Sequence, residues 1–131
     1  VSRRPRSRSF RSLPHNRAKG AAAERQGVAW LRRQGYRVLA VNVTNAGGEI
    51  DAVASDGDTL CFIEIKARST DRFGPAVLAV DATKRRRLAR AASAYLARHP
   101  WDGPCRFDVL GMDLADGAFE YTLLRDAFRL E

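Results

Sequence analysis

Apolar and polar positions change period several times along this chain, and each change predicts an element. Between Ala18 and Gln34, Ala21, Val28 and Leu31 recur at three-to-four spacing while Arg25 and Arg32 stack on another face, which predicts a helix stopped by Gly35. Glu24 falls on the apolar stripe with Val28 and Leu31. A carboxylate aimed partly at a core either reaches solvent or an arginine from the stripe's edge, or requires a cation.

Tyr36 to Val43 is rich in β-branched and aromatic residues, Asn45-Ala46-Gly47-Gly48 breaks it, and Glu49 to Ala54 resumes an extended pattern, so two strands joined by a turn are expected. Ser55-Asp56-Gly57-Asp58 is a hairpin signal, and Thr59 to Ala67 continues as an apolar strand interrupted by Glu64 and Lys66. A two-residue loop at 56 and 57 would pair Asp51 with Phe62 and leave Glu64 on the diagonal; a four-residue loop, 56 to 59, would pair Asp51 with Glu64 directly. Either even loop places the two acids on one face. Alternation then sorts Glu49, Asp51, Val53, Leu60, Phe62, Glu64 and Lys66 to that face, and Ile50, Ala52, Ala54, Cys61, Ile63, Ile65 and Ala67 to a wholly apolar opposite face.

Ser69 to Pro75 reads as a polar loop. Val80-Asp81 supplies a staple position and an N-cap for a second helix whose inward stripe is Lys84, Leu88, Ala91, Ala92 and Tyr95, with Arg85, Arg86, Arg87 and Arg90 outward. Lys84 thus approaches the sheet, either to meet Glu49 or a substrate phosphate or to snorkel from the first turn. His99 to Pro104 reads as a surface loop, after which Arg106 to Asp113 and Ala118 to Leu124 form a hairpin through Asp116-Gly117 and close the sheet. His15 and His99 have no nucleophile or ligand partner in view, and no chemistry is assigned to them.

Charge changes this picture at one end only. The 131 residues carry a net charge of +8, yet Arg3, Arg4, Arg6, Arg8, Arg11 and Arg17 supply most of it. Residues 1–17 are therefore expected to be a disordered basic tail, either a solubilising segment or a phosphate-tracking arm, and residues 18–131 the folded domain. No apolar run is long enough to span a bilayer or to serve as a signal-peptide core, so a cytoplasmic protein without membrane contact is expected. Cys61 and Cys105 have no further Cys or His at ligand spacing and are expected to be buried, reduced thiols.

Three acids and one lysine on one face of two adjacent strands are chemically unusual. Opposed carboxylates about 5 Å apart repel, and when half-buried they share a proton or hold a metal. An oxygen-rich cluster suits a hard cation such as Mg²⁺ or Mn²⁺, which keeps waters and takes one or two carboxylates plus substrate phosphate. Only Lys19, Lys66 and Lys84 are lysines among the 23 basic residues, so Lys66 stands where composition favours arginine. A compact ammonium can touch a water or a phosphate oxygen where a guanidinium fork does not fit. The plainer alternative is a solvated Glu64–Lys66 ladder.

Asp51 followed by Glu64-Ile65-Lys66 resembles the PD-(D/E)xK nuclease pattern. Its surroundings, Gly47 to Ala54, Asp56 to Leu60, Phe62 to Arg68, Phe73-Gly74, Val80-Asp81, Lys84 to Arg86, Ala91-Ala92 with Tyr95-Leu96 and Arg106 to Val109, are similar to the YraN family of small bacterial proteins over residues 17–130. The likeness implies an α/β fold with a restriction-endonuclease-like αβββαβ core, a mixed central sheet flanked by helices, akin to Holliday junction resolvases. It further implies that Asp51 and Glu64 bind metal, that Ile65 offers its backbone carbonyl, that Lys66 assists the attacking water and that Glu24 completes the site, with Glu49 a secondary acid. The stretch Asn42-Val43-Thr44-Asn45-Ala46 departs from many relatives, which carry an aromatic or basic residue after the strand's asparagine.

Three functions follow as expectations. The first is a Mg²⁺- or Mn²⁺-dependent phosphodiesterase acting on DNA rather than RNA, branched or single-stranded, with Lys84, Arg85, Arg86 and Arg90 on the nucleic acid; a homodimer is required if two strands are cut together. The second is a nucleic-acid-binding module with an idle acidic cluster. The third is a protein-interaction subunit that offers its arginine helix to an acidic partner.

Overall fold

In the computed structural model the described residues are 14–69 and 74–129, with side chains from residue 20 onward. Most of the expected tail, residues 1–13, and the middle of the expected polar loop, residues 70–73, lie outside them. Helix α1 spans Pro14–Arg33, so it starts before the expected Ala18, and it is followed by strands β1 (Arg37–Asn45), β2 (Gly48–Asp56) and β3 (Thr59–Arg68). A short 3-10 turn, Ala76–Ala79, precedes helix α2 (Ala82–Arg98), and strands β4 (Cys105–Ala115) and β5 (Ala118–Phe128) end the fold. The sheet order is β1-β2-β3-β4-β5, with β3 and β4 parallel and the other neighbours antiparallel. Three consecutive hairpin-linked strands thus feed one helical crossover, the connection that a parallel pair demands.

The helices cover opposite faces. Ala23, Val28 and Leu31 of α1 pack with Ala52, Ala54, Cys61, Ile63, Ile65, Leu110 and Met112, whereas Leu88, Ala91 and Ala92 of α2 pack with Ile50, Val53, Leu60 and Phe62. β3 is buried on both sides because α1 and α2 sandwich it, which explains its nearly continuous apolar run. Asp81 caps α2 as expected, its carboxylate accepting from the Lys84 amide at 3.0 Å. At the other end of α1, Gly35 adopts φ +100°, a conformation that glycine takes without steric cost.

The β1–β2 turn docks on α2. Asn45 Nδ2 donates to the Ala91 carbonyl at 2.9 Å and Asn45 Oδ1 accepts from the Gly47 amide at 2.9 Å. A Cβ at position 47 would lie 2.4 Å from the Arg90 carbonyl oxygen, so only glycine allows this approach. The hairpin at Asp116-Gly117 is also as expected, with φ of +50° and +81° at its two central residues.

Four expectations need correction. The β2–β3 loop is Gly57-Asp58, and Asp56 pairs with Thr59; the register is that of the longer loop, reached with the shorter one. Ile50 belongs with Val53, Leu60 and Phe62 beneath α2, so the alternation of β2 slips between Ile50 and Ala52 instead of running unbroken. Asp51 consequently turns toward α1, away from the face assigned to it. Cys105, at the exposed start of β4, is not buried, although both cysteines are free; Cys61 is buried, and burial pushes its thiol up to about 12.

Candidate active site

The site forms where β2 and β3 part. Their ladder ends at Ala52↔Ile63, and beyond it the Ile65 amide has lost its neighbouring strand. Asp51 takes that place, accepting from Ile65 N–H through Oδ2 at 2.7 Å. The side chain of one strand thereby replaces a backbone carbonyl, which pins one carboxylate oxygen at the split. Since the N–H and C=O of a strand residue point to the same neighbour, the Ile65 carbonyl lies on that side too.

Around Asp51 the structure brings together Glu24 from α1, Glu49 from β2 and Glu64 from β3. Glu24 is within side-chain hydrogen-bonding reach of Asp51, and burial together with the Glu49 charge raises its pKa. Asp51 is raised well above the ordinary carboxylate range by burial and by the charges of Glu64 and Glu24, against a smaller lowering by the Ile65 amide. Burial pushes Glu64 up to about 7, although Lys66 and Lys84 pull it down. Two acids in contact with each other and facing further acids hold a proton between them unless a cation replaces it.

Glu24, which the α1 stripe left open between a solvated edge and a cation and which the family resemblance placed in the site, lies beside the strand acids. Lys84 also arrives: Asp81 sets the first turn of α2, Lys84 Nζ donates to the Ala79 carbonyl at 3.2 Å, and its charge acts on Glu64. The outer arginines of α2 do not join the site. Arg85, Arg86 and Arg90 are exposed, and Arg85 is partly engaged, its Nε donating to the Val80 carbonyl at 3.4 Å and its guanidinium lying 5.7 Å from the Phe128 ring centre.

Oxygen donors alone, in excess over nearby cations, fit a hard divalent ion. Among the described residues, however, no three His, Cys, Asp or Glu side chains are arranged to hold an ion by themselves. Such a donor set suits an ion that completes its coordination with waters and a substrate phosphate, not a closed structural cage.

Sequence reasoning missed a second polar assembly on the same side of the sheet. Asp108, fully buried, accepts from Tyr36 Oη at 2.7 Å, from Arg106 Nε at 2.9 Å and Nη2 at 3.0 Å, and from the Asp126 amide at 2.9 Å. Arg106 also bonds Asp56 at 3.0 Å. The i, i+2 spacing of Arg106 and Asp108 on one strand was its only local signal. Next to this assembly, at the β4 start and β5 end, is a hollow of about 480 Å³; it is larger than the 400 Å³ groove beside Asp51, but its Arg106 and Arg129 are tied to aspartates. No cluster of acids converges there, so it is not taken as the active site.

Known proteins match the chain along most of its length. The profile of "Uncharacterised protein family UPF0102" matches residues 23–112. A UPF0102 protein of Halorhodospira halophila is 45% identical over 115 residues, covering 88% of this chain and 90% of its own length. One from Symbiobacterium thermophilum is 44% identical over 115 residues, covering 86% and 98%, and one from Burkholderia pseudomallei is 41% identical over 128 residues, covering 97% and 86%.

Proposed function

This chain belongs to the uncharacterised protein family UPF0102, the group that the sequence reading identified as YraN, and we propose that it is a metal-dependent nuclease hydrolysing phosphodiester bonds in DNA, branched or single-stranded, in the cytoplasm. The observation that carries this reading is the Asp51 carboxylate held by the Ile65 amide at the strand split and facing Glu64, Glu24 and Glu49, with Lys66 and Lys84 acting on Glu64. A purely structural acid would be paired with a cation or saturated by donors, and Asp51 instead meets three further acids.

In this reading Asp51, Glu64 and the Ile65 carbonyl hold Mg²⁺ or Mn²⁺. When bound, such an ion polarises a phosphoryl oxygen and makes water a stronger nucleophile at neutral pH. Lys66 orients the attacking water and offsets phosphate charge, Lys84 supports it from the first turn of α2, and Glu24 completes the acid set with Glu49 behind it. Arg86 and Arg90, with Arg85, attract the sugar-phosphate backbone from the outer face of α2. Cutting both strands of a branched junction calls for a two-fold dimer.

The test is cleavage of linear duplex, single-stranded and branched DNA, and of RNA, with and without Mg²⁺ or Mn²⁺. Asp51→Asn, Glu64→Gln and Lys66→Ala are each expected to lower the rate by roughly a hundredfold or more while binding in EDTA persists. Undiminished cleavage by Asp51→Asn would remove it from the chemistry. The second reading, a nucleic-acid binder with an idle cluster, draws on the absence of a preformed three-ligand arrangement among the described residues; binding without metal-dependent cleavage on any substrate would establish it.

A further inference from the structure

The groove beside the carboxylates has a composition that the hydrolytic site does not need. It has a volume of about 400 Å³, within the range of small-molecule sites and too small for a duplex. Besides Glu24 and Asp51, it is lined by Arg25, Val28 and Arg32 of α1 and by Val41 and Asn42 of β1. On the helix, Arg25 and Arg32 are seven residues apart, two turns along one exposed stripe at the edge of the core-facing Val28. Arg25 adjoins the acids, and Arg32 lies two turns away, about 10 Å along the axis. Among the described residues neither arginine forms an ion pair, and both are exposed.

The strand side is equally specific. Val41 is 45% exposed and Asn42 is exposed as well, and both line the groove. Consecutive strand residues normally point to opposite faces. Asn42 permits the exception by adopting φ +51°, an uncommon conformation for a residue other than glycine and least costly for asparagine. A left-handed residue in the middle of a strand costs stability, and here it places an apolar side chain and an amide together in one groove.

We propose that this groove binds a single strand of nucleic acid next to the reacting phosphate. Arg25 and Arg32 take neighbouring phosphates, the exposed Val41 lies against sugar or base, and the Asn42 amide, both donor and acceptor, bonds a base edge. The charge complementarity points to a polyanion, while the apolar wall and the amide require an unpaired base, which a duplex keeps inside its stack. The inference rests on the nuclease reading for its orientation, since the acids mark the Arg25 end as the reacting end.

The experiment measures binding of the full chain, in EDTA, to fluorescent single-stranded DNA and RNA and to blunt duplex across a salt series. Arg25→Ala with Arg32→Ala should weaken single-strand binding about tenfold and reduce the logarithmic salt slope by roughly 1.4, two contacts at about 0.7 each, with duplex affinity changed less than twofold. Alanine suits an exposed helix position, so folding is retained. Asn42→Gly keeps the left-handed conformation at no steric cost, removes the amide, and should weaken single-strand binding a few-fold with an unchanged salt slope. Equal losses on duplex and single strand, or no loss on either, would overturn the proposal. Cleavage by Asp51→Asn is assayed in parallel. Groove variants that bind normally while Asp51→Asn abolishes cleavage sink only the groove; selective single-strand loss without any metal-dependent cleavage sinks only the nuclease reading; a chain that binds no nucleic acid sinks both.

Discussion

Two acids on the α1 side of the sheet, Asp51 and Asp108, have been treated in opposite ways by their surroundings. Asp108 has no exposure and four donated hydrogen bonds, two of them from Arg106, which is itself bridged to Asp56. Burial, with the hydrogen bond to Asp108, holds the Tyr36 hydroxyl above its ordinary pKa, and the hydrogen bond to Asp108 does the same for the Arg106 guanidinium, so each partner stays protonated. Asp51, five residues from Asp56 along β2 and about 17 Å from it at the usual rise, has one backbone donor and acid neighbours. A buried charge that is satisfied holds a fold together; one that is left facing its own kind stores unfavourable energy that a ligand can release. Asp108 belongs to the scaffold; under the proposed function Asp51 belongs to the chemistry.

The largest expected contrast is in stability. Asp108→Ala leaves Arg106 and Tyr36 without their central acceptor and should destabilise the fold by about 3–5 kcal/mol in urea titration, whereas Asp51→Asn in EDTA should leave stability unchanged or raise it. Equal destabilisation by both would erase the distinction and make Asp51 another structural carboxylate.

Next in size is the pH response. Glu64 titrates near 7 in the fold against an ordinary value of 4.5, so the native state holds more protons than the unfolded chain between those values. Its contribution to stability must therefore fall as pH rises from about 4.5 to about 7 and level off above, at no more than about 1.4 kcal/mol per pH unit. Glu64→Gln should flatten the profile measured in EDTA. A wild-type profile that rises through this window would show that the acids are paired after all.

Metal should then act on one acid region only. With free Mn²⁺ about tenfold above its dissociation constant, wild type should gain about 1.4 kcal/mol in thermal unfolding at fixed ionic strength, and Asp51→Asn should lose most of that gain. An equal gain in the Asp51 variant would place the ion elsewhere. An effect of similar size belongs to the scaffold: Tyr36→Phe removes one neutral-donor bond to Asp108 and should cost about 1–2 kcal/mol, with no change in the response to Mn²⁺. A loss of that response would tie the two regions together.

The elements and the motif could be read from local signals. Gly35 as a stop, Asp81 as a cap, Asp116-Gly117 as a hairpin turn and the Leu88–Ala91–Ala92 stripe each depend on residues within a turn or two of one another, where backbone sterics and periodicity act directly. Glu24 was also legible, because an acid on an apolar stripe contradicts its own neighbourhood. Tertiary structure decided the rest. The Ile50–Ala52 slip that turns Asp51 toward α1 arises where two strands part and one side chain takes over a missing backbone partner, an event no alternation rule contains. The left-handed Asn42 is paid for by what it places in a groove shared with a helix, not by its own propensity. Tyr36 and Asp108 meet across 72 positions of sequence. Local chemistry thus determined which segments are helices and strands and which acids were out of place; only packing, by choosing which distant groups come within a few ångströms, determined which of those acids would be satisfied and which left facing one another.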